Sequence, residues 1–386
     1  MKKTILILAN KYPNIVEPTT NVFIQQLVWQ FADMGYECLV ACPMPINFNI
    51  KYFNIPFEET ELTENGNLVK VYRPKYISMG QSGKLLQKKR VLFTTKTYEI
   101  AIEEVIKKMD KLPDLIYSHF ICPTSVVASR LGLKYHIPAF MACGEALYSG
   151  DKKYGNKKLK KELAGIKGVV AVSNQNKKYL VDAEVVNSDI VGVFPNGYRK
   201  ERFYPRDKLE SRNRFNFPKN VFIVGMVGSF DNRKGALRIQ QACEKLNDVY
   251  FACAGKGEKK PSGNKCLWAK PINNDELPWF YSALDVFVLP TTNEGCCNAI
   301  VEAIACGCPI ISSDKAFNYD ICDESNSILI NPMDIDEIAN SINFLKNNND
   351  ELKKLSQGSI KKSKNLDINQ RAINIMKFVE EKCNKL

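Results

Sequence analysis

Short apolar runs recur along the chain, and stretches with helical spacing lie between them. Thr4–Leu8, Cys38–Ala41, Leu115–Ser118, Ala139–Ala142 and Val169–Val172 read as buried strands. Phe222–Val227, Tyr250–Ala254, Val286–Leu289 and Pro309–Ser312 form a second series. Helical spacing marks Asn21–Met34 and Ala236–Leu246, among others. Such alternation predicts an α/β fold of parallel sheets with crossover helices. The polar, basic segment Pro195–Asn220 parts the two series and carries Pro-Asn-Gly, Tyr-Pro and Phe-Pro turn chemistry. Two doubly wound, Rossmann-like domains follow, 1–195 and 196–371. Ligands of such sheets sit at the C-terminal ends of the strands.

Composition narrows the reading. The chain has 386 residues, enough for two domains of ordinary size. Its thirteen cysteines include no C-x-x-C pair, and several lie inside apolar runs, as in Glu37–Cys42. They read as buried free thiols of a reducing compartment. His119 and His136 are the only histidines and lie far from any cysteine pair, so no metal site is expected. The apolar run Ile5–Ala9 is too short for a signal peptide and ends in Asn10-Lys11, so a cytoplasmic protein is expected.

The net charge of +12 suits nucleic acid, an anionic membrane face or phosphorylated substrates, and no nucleic-acid motif accompanies it. Lysines cluster at Lys152–Lys161 and Lys84–Arg90, the latter beside Leu85, Leu86, Val91, Leu92 and Phe93. Such a segment is either a solvated helix face or a surface that lies on an anionic membrane.

Candidate chemistry concentrates in Asp285–Ser313. A strand, Val286–Leu289, leads through the loop Pro290–Gly295 into a helix from about Cys297 to Cys306, which Gly307 caps and Pro309 stops. The helix start then opens at the strand's C-terminal edge, where backbone amides suit an anion. Glu294 precedes this helix and Glu302 lies eight residues on. The pair either decorates a helix or binds hydroxyls by charge-assisted hydrogen bonds. Val227–Gly235 is a second loop between strand and helix, and its adjacent Arg233 and Lys234 suit a diphosphate. His119 ends a buried strand, as a structural or a ligand-facing residue.

Glu294, Glu302, Ala303, Ala305, Gly307 and Pro309 together form E-x7-E followed by A-x-A-x-G-x-P. This pattern resembles the signature of the GT4 family of GT-B-fold glycosyltransferases. Gly228, Lys234 and Gly235 resemble the family's G-x-x-x-x-x-K-G element, departing at Ser229, where many members carry Arg, with Arg233 as a substitute. Val172-Ser173 with Leu180, Pro195-Asn196-Gly197 with Phe203 and Pro205, Gly255-Lys256-Gly257 and Leu277–Leu289 extend the likeness over most of the chain. Thr19-Thr20-Asn21 departs where relatives often place Gly, and Asn21 is suited to the positive φ needed there.

The resemblance implies a GT-B fold, two domains facing a cleft. The acceptor would bind on the first domain and the nucleotide-sugar donor on the second, with a tail at about 372–386 returning to the first. It implies that Glu294 and His119 face the donor sugar and that Glu302 holds the ribose. Arg233, Lys234 and Ser229 would serve the diphosphate, and backbone groups of Cys296, Cys297, Asn298 and Ala299 the sugar and phosphates. The implied reaction is metal-independent, cofactor-free, retaining transfer from a UDP- or GDP-sugar to a glycan or lipid-linked hydroxyl. Asp334-Ile335-Asp336 reads as a helix cap, since Asp334 lies three residues before Glu337. A sugar-nucleotide epimerase and a non-catalytic binder are the rival readings.

Overall fold

All nine strands predicted from apolar runs form, each within a few residues of its expected bounds. A computed structural model of the chain describes residues 2–47, 50–79 and 86–384. Two units result, Met1–Phe194 with Ala372–Leu386, and Pro195–Arg371.

The first unit holds β1 (Thr4–Leu8), β2 (Glu37–Ala41), β3 (Glu58–Leu62), β4 (Leu68–Tyr72), β5 (Leu115–His119), β6 (Ala139–Cys143), β7 (Ile166–Ala171) and β8 (Val191–Val193). Their order is β8-β7-β6-β5-β1-β2-β4-β3, parallel except for the β3–β4 pair. Side chains alternate across this sheet. Ile5, Ile7 and Ala9 pack with Ile24, Leu27 and Phe31 of α1 (Val22–Asp33). Leu6 and Leu8 pack on the other face with Tyr98 and Ile102 of α2 (Gln87–Lys107) and Leu131 of α3 (Val126–Tyr135). Each such side chain, fully buried, contributes about 1.5–3 kcal/mol of transfer free energy. The helix Ile368–Asn384 begins in the second unit, and its Ala372, Ile375, Met376 and Val379 join the first-unit core beside α1.

The second unit holds β9 (Phe222–Val227), β10 (Val249–Ala254), β11 (Cys266–Lys270), β12 (Val286–Leu289), β13 (Ile310–Ser313) and β14 (Ser327–Ile330). All are parallel, in the order β11-β10-β9-β12-β13-β14. β3, β4, β8, β11 and β14 escaped the sequence reading: their apolar runs are short or broken by polar residues or glycine. Four of them are sheet edges and β4 is next to one, so water reaches part of each and their residues are only partly apolar.

Candidate active site

Each sheet reverses its strand order once, between β1 and β5 in the first unit and between β9 and β12 in the second. Loops that leave adjacent strands at such a point diverge and leave a ligand crevice. In the second unit these loops are 228–235 and 290–297.

The loop after β9 begins with a close backbone approach. A Cβ on Gly255 would lie 1.9 Å from the Gly228 carbonyl oxygen, so only glycine fits there. Asp231, which the motif did not single out, organises the rest. Its Oδ1 accepts from the Lys234 amide at 2.7 Å and its Oδ2 from Ser229 Oγ at 2.7 Å. Ser229 thus faces its own loop. Burial favours the protonated form of Asp231, yet these hydrogen bonds and the charges of Arg233 and Lys234 win and lower its pKa. Gly235, at φ 83°, then opens α4 (Ala236–Glu244).

The two loops are cross-linked. The Thr292 amide donates to the Arg233 carbonyl at 3.0 Å. Arg238 of α4 donates to the Asn232 carbonyl at 2.8 Å and the Pro290 carbonyl at 2.7 Å. Glu294 Oε1 accepts from Lys234 Nζ at 2.7 Å, from Thr291 Oγ1 at 3.0 Å and from Arg233 Nη1. Lys234 Nζ also lies 3.6 Å from Cys297 Sγ. Burial of Lys234 opposes its charge, but Cys297 and Glu294 outweigh burial and raise its pKa. Arg233, Lys234 and Arg238 face Asp231 and Glu294, three cations against two carboxylates. This excess positive charge suits an anion.

The second loop enters α6 (Asn298–Ala305), with Cys297 as its N-cap and Gly307, at φ 76°, just past its end. Asn196 of the Pro-Asn-Gly turn holds the entry: its amide donates to Cys296 Sγ at 3.3 Å, and its Nδ2 to the Cys296 carbonyl at 3.0 Å and Asn298 Oδ1 at 2.7 Å. The same α6 entry therefore carries Cys296, Cys297, Asn298 and Ala299. Glu302, a turn further along, has a different partner: Tyr281 of α5 (Leu277–Ala283) donates to its Oε2 at 2.9 Å.

His119 is a first-unit residue. It is buried at the end of β5, 5.3 Å from the Tyr117 ring between centroids, and its carbonyl accepts from Thr124 Oγ1 at 2.5 Å. Glu145, missed in the sequence, braces the next residues. Its Oε1 accepts from the Ile121 amide at 2.6 Å and its Oε2 from the Gly144 amide at 3.1 Å, and burial raises its pKa. Before α1, Asn21 takes φ 47° and ψ 37°, the left-handed form for which Asn is suited. His136 caps the end of α3, also at positive φ. Asp334 accepts from the Glu337 amide at 3.0 Å and caps the helix Ile335–Asn347. Among the described residues, no group of three or more His, Cys, Asp or Glu is placed to hold a metal, and no helix is long and apolar enough to cross a membrane. All thirteen cysteines are free thiols and ten are buried. Of the basic segment, Lys88 and Lys89 are exposed, and Lys84 and Leu85 lie outside the described residues.

Residues 207–362, which include both cross-linked loops and α6, match the family of glycosyl transferases group 1. The chain is 24% identical over 350 residues, 88% of each protein, to the putative teichuronic acid biosynthesis glycosyltransferase TuaC of Bacillus subtilis. It is 27% identical over 193 residues to an Escherichia coli UDP-Gal:alpha-D-GlcNAc-diphosphoundecaprenol alpha-1,3-galactosyltransferase, covering 45% of this chain and 50% of that one. The fold is that of sucrose-phosphate synthase from Thermosynechococcus elongatus, with a TM-score of 0.80 at 18% identity over the whole of both chains. The chain has the GT-B fold, and the family match lies within its second unit. Anabaena HepE in complex with UDP-glucose is a further structural neighbour, with a TM-score of 0.71 at 16% identity, covering 98% of this chain and 99% of that one.

Proposed function

We propose that the chain is a glycosyltransferase that moves a sugar from a UDP- or GDP-sugar to an acceptor hydroxyl with retention at the anomeric carbon. The observation that carries this is the cross-linked pair of loops at the second unit's switch point, where Arg233 and Lys234 stand against Glu294. Arg233, Lys234 and the start of α6 take the diphosphate, Glu294 a sugar hydroxyl and Glu302 the ribose. His119 is the first unit's contribution to the reaction, and the acceptor binds on that unit. The bond between the anomeric carbon and the diphosphate oxygen breaks, the acceptor oxygen bonds to that carbon, and the acceptor proton passes to the leaving diphosphate. Stabilising the charge that grows on this leaving group is the main catalytic contribution. Arg233 and Lys234 supply the positive charge, so the reaction is proposed to need no metal or cofactor.

The teichuronic acid and diphosphoundecaprenol-linked sugar transferases among the relatives favour a role in building a cell-surface polysaccharide or glycolipid. A thermal-shift panel of UDP-, GDP- and ADP-sugars tests the donor. The true donor near 100 times its dissociation constant adds about 2.7 kcal/mol, and stabilisation by ADP-sugars alone would reject this reading. A lipid-linked acceptor fits the exposed Lys88 and Lys89 as a peripheral contact with the inner membrane face. The expected result is salt-sensitive binding to anionic vesicles that weakens on charge reversal at Lys88, Lys89 and Arg90. Absence of binding at low salt removes the membrane contact.

A further inference from the structure

Glu302 differs from Glu294 in what surrounds it. Glu294 meets two cations, whereas Glu302 gives Oε2 to a neutral phenol, Tyr281, and its Oε1 has no hydrogen bond among the described residues. Tyr281 is fully buried, and its ring is wedged 5.6 Å from Phe287 and 6.3 Å from Phe203 between centroids. The phenol therefore has little freedom to follow a moving carboxylate. Arg202 is the cation within electrostatic reach of Glu302. Its Nε is buried without a hydrogen bond, and its Nη2 lies 3.4 Å from Asp275, an exposed carboxylate.

We propose that Tyr281 is a positioning residue for the donor: it pins one oxygen of Glu302 so that the other meets the ligand hydroxyls. This rests on the reading that Glu302 takes the donor ribose. An ionised carboxylate accepts from two hydroxyls, whereas a protonated one must spend an oxygen as a donor.

Burial pushes Glu302 up to about 7, against the hydrogen bond from Tyr281 and the charge of Arg202, which both lower it. The titratable and charged groups that face it are Tyr281 from α5, Arg202 from the segment before β9, and Cys306, the C-cap of its own helix. The acid form dominates below this value and the ionised form above it. A ligand that needs the ionised form must therefore expel a proton on binding at lower pH. Affinity should rise about tenfold per pH unit below 7 and level off above it.

The test is nucleotide affinity, with UDP and GDP as probes, from pH 6 to pH 9 for the unaltered protein, Tyr281→Phe, Arg202→Gln and Glu302→Gln. Tyr281→Phe keeps the packed ring and deletes only the hydroxyl. Loss of its hydrogen bond raises the Glu302 pKa, so the rise in affinity should move about one unit upward, to give binding about fivefold weaker at pH 7 that recovers by pH 9. Arg202→Gln should move it the same way. In turnover assays at pH 7 the donor KM should carry most of the change and kcat little. A Tyr281→Phe profile that coincides with the unaltered one, or is equally weak at every pH, overturns the proposal and leaves Tyr281 as packing. If Glu302→Gln itself binds UDP and GDP normally, the ribose assignment fails instead.

Discussion

The two switch points use polar groups in opposite ways. In the second unit, Arg233, Lys234 and Arg238 leave a cation in excess over Asp231 and Glu294. In the first, polar groups are spent on fixing shape. Glu61 of β3 takes Gln25 Nε2 at 2.7 Å, Trp29 Nε1 at 3.0 Å and the Tyr12 hydroxyl. Arg73, buried just past β4, binds Glu59 at 2.9 Å and the Pro13 carbonyl at 2.7 Å. Glu145 takes two amides beyond β5 and β6. The second unit's switch point is thus charged for an anion, while the first unit's is braced so that the loops beyond β1 and β5 hold still.

Lys234→Ala should give the largest effect, because it removes a buried positive charge from the anion side. Turnover at saturating donor should fall about 10²–10³-fold, the usual cost of losing one group that stabilises developing charge, with little change in melting temperature. Turnover equal to the unaltered protein would break the contrast at its charged end. Glu145→Ala should do the reverse: it strands the Ile121 and Gly144 amides and should lower unfolding free energy by about 1–3 kcal/mol in urea titrations, while UDP affinity holds. Loss of UDP affinity in this variant would mean that the first-unit braces also build the nucleotide site. Asp334→Ala should be mildest, costing about 1 kcal/mol of stability as a lost helix cap, with transfer unchanged in EDTA or added Mg²⁺. A transfer defect that Mg²⁺ repairs would turn the cap into a metal ligand.

The same contrast explains what could be read in advance. In the second unit each functional loop lies between an apolar strand and a helix, the second of which has clear stop signals at Gly307 and Pro309, so Lys234, Glu294 and Glu302 fall at recognisable offsets. Even there, Asp231 and Tyr281 were given no role and Asn196 was read only as part of a turn motif, since a short polar side chain in a turn, or a tyrosine in an apolar helix, looks the same whether or not it has a special partner. In the first unit the anchors Glu59, Glu61 and Arg73 sit on or beside edge strands without an apolar run, and Glu145 follows β6 without any motif.

The sequence by itself determined the two series of parallel strands, the helix stops at Gly307 and Pro309, the cap at Asp334 and the positive φ at Asn21, because these depend on burial period and local backbone preference. Only the tertiary structure decided that Arg233 and Lys234 share Glu294 across 60 residues, and that Glu302 rests on Tyr281 rather than on those cations. Strand order selects which loops become neighbours, and that order is set by how whole sheets and helices pack, which no local stretch of sequence encodes.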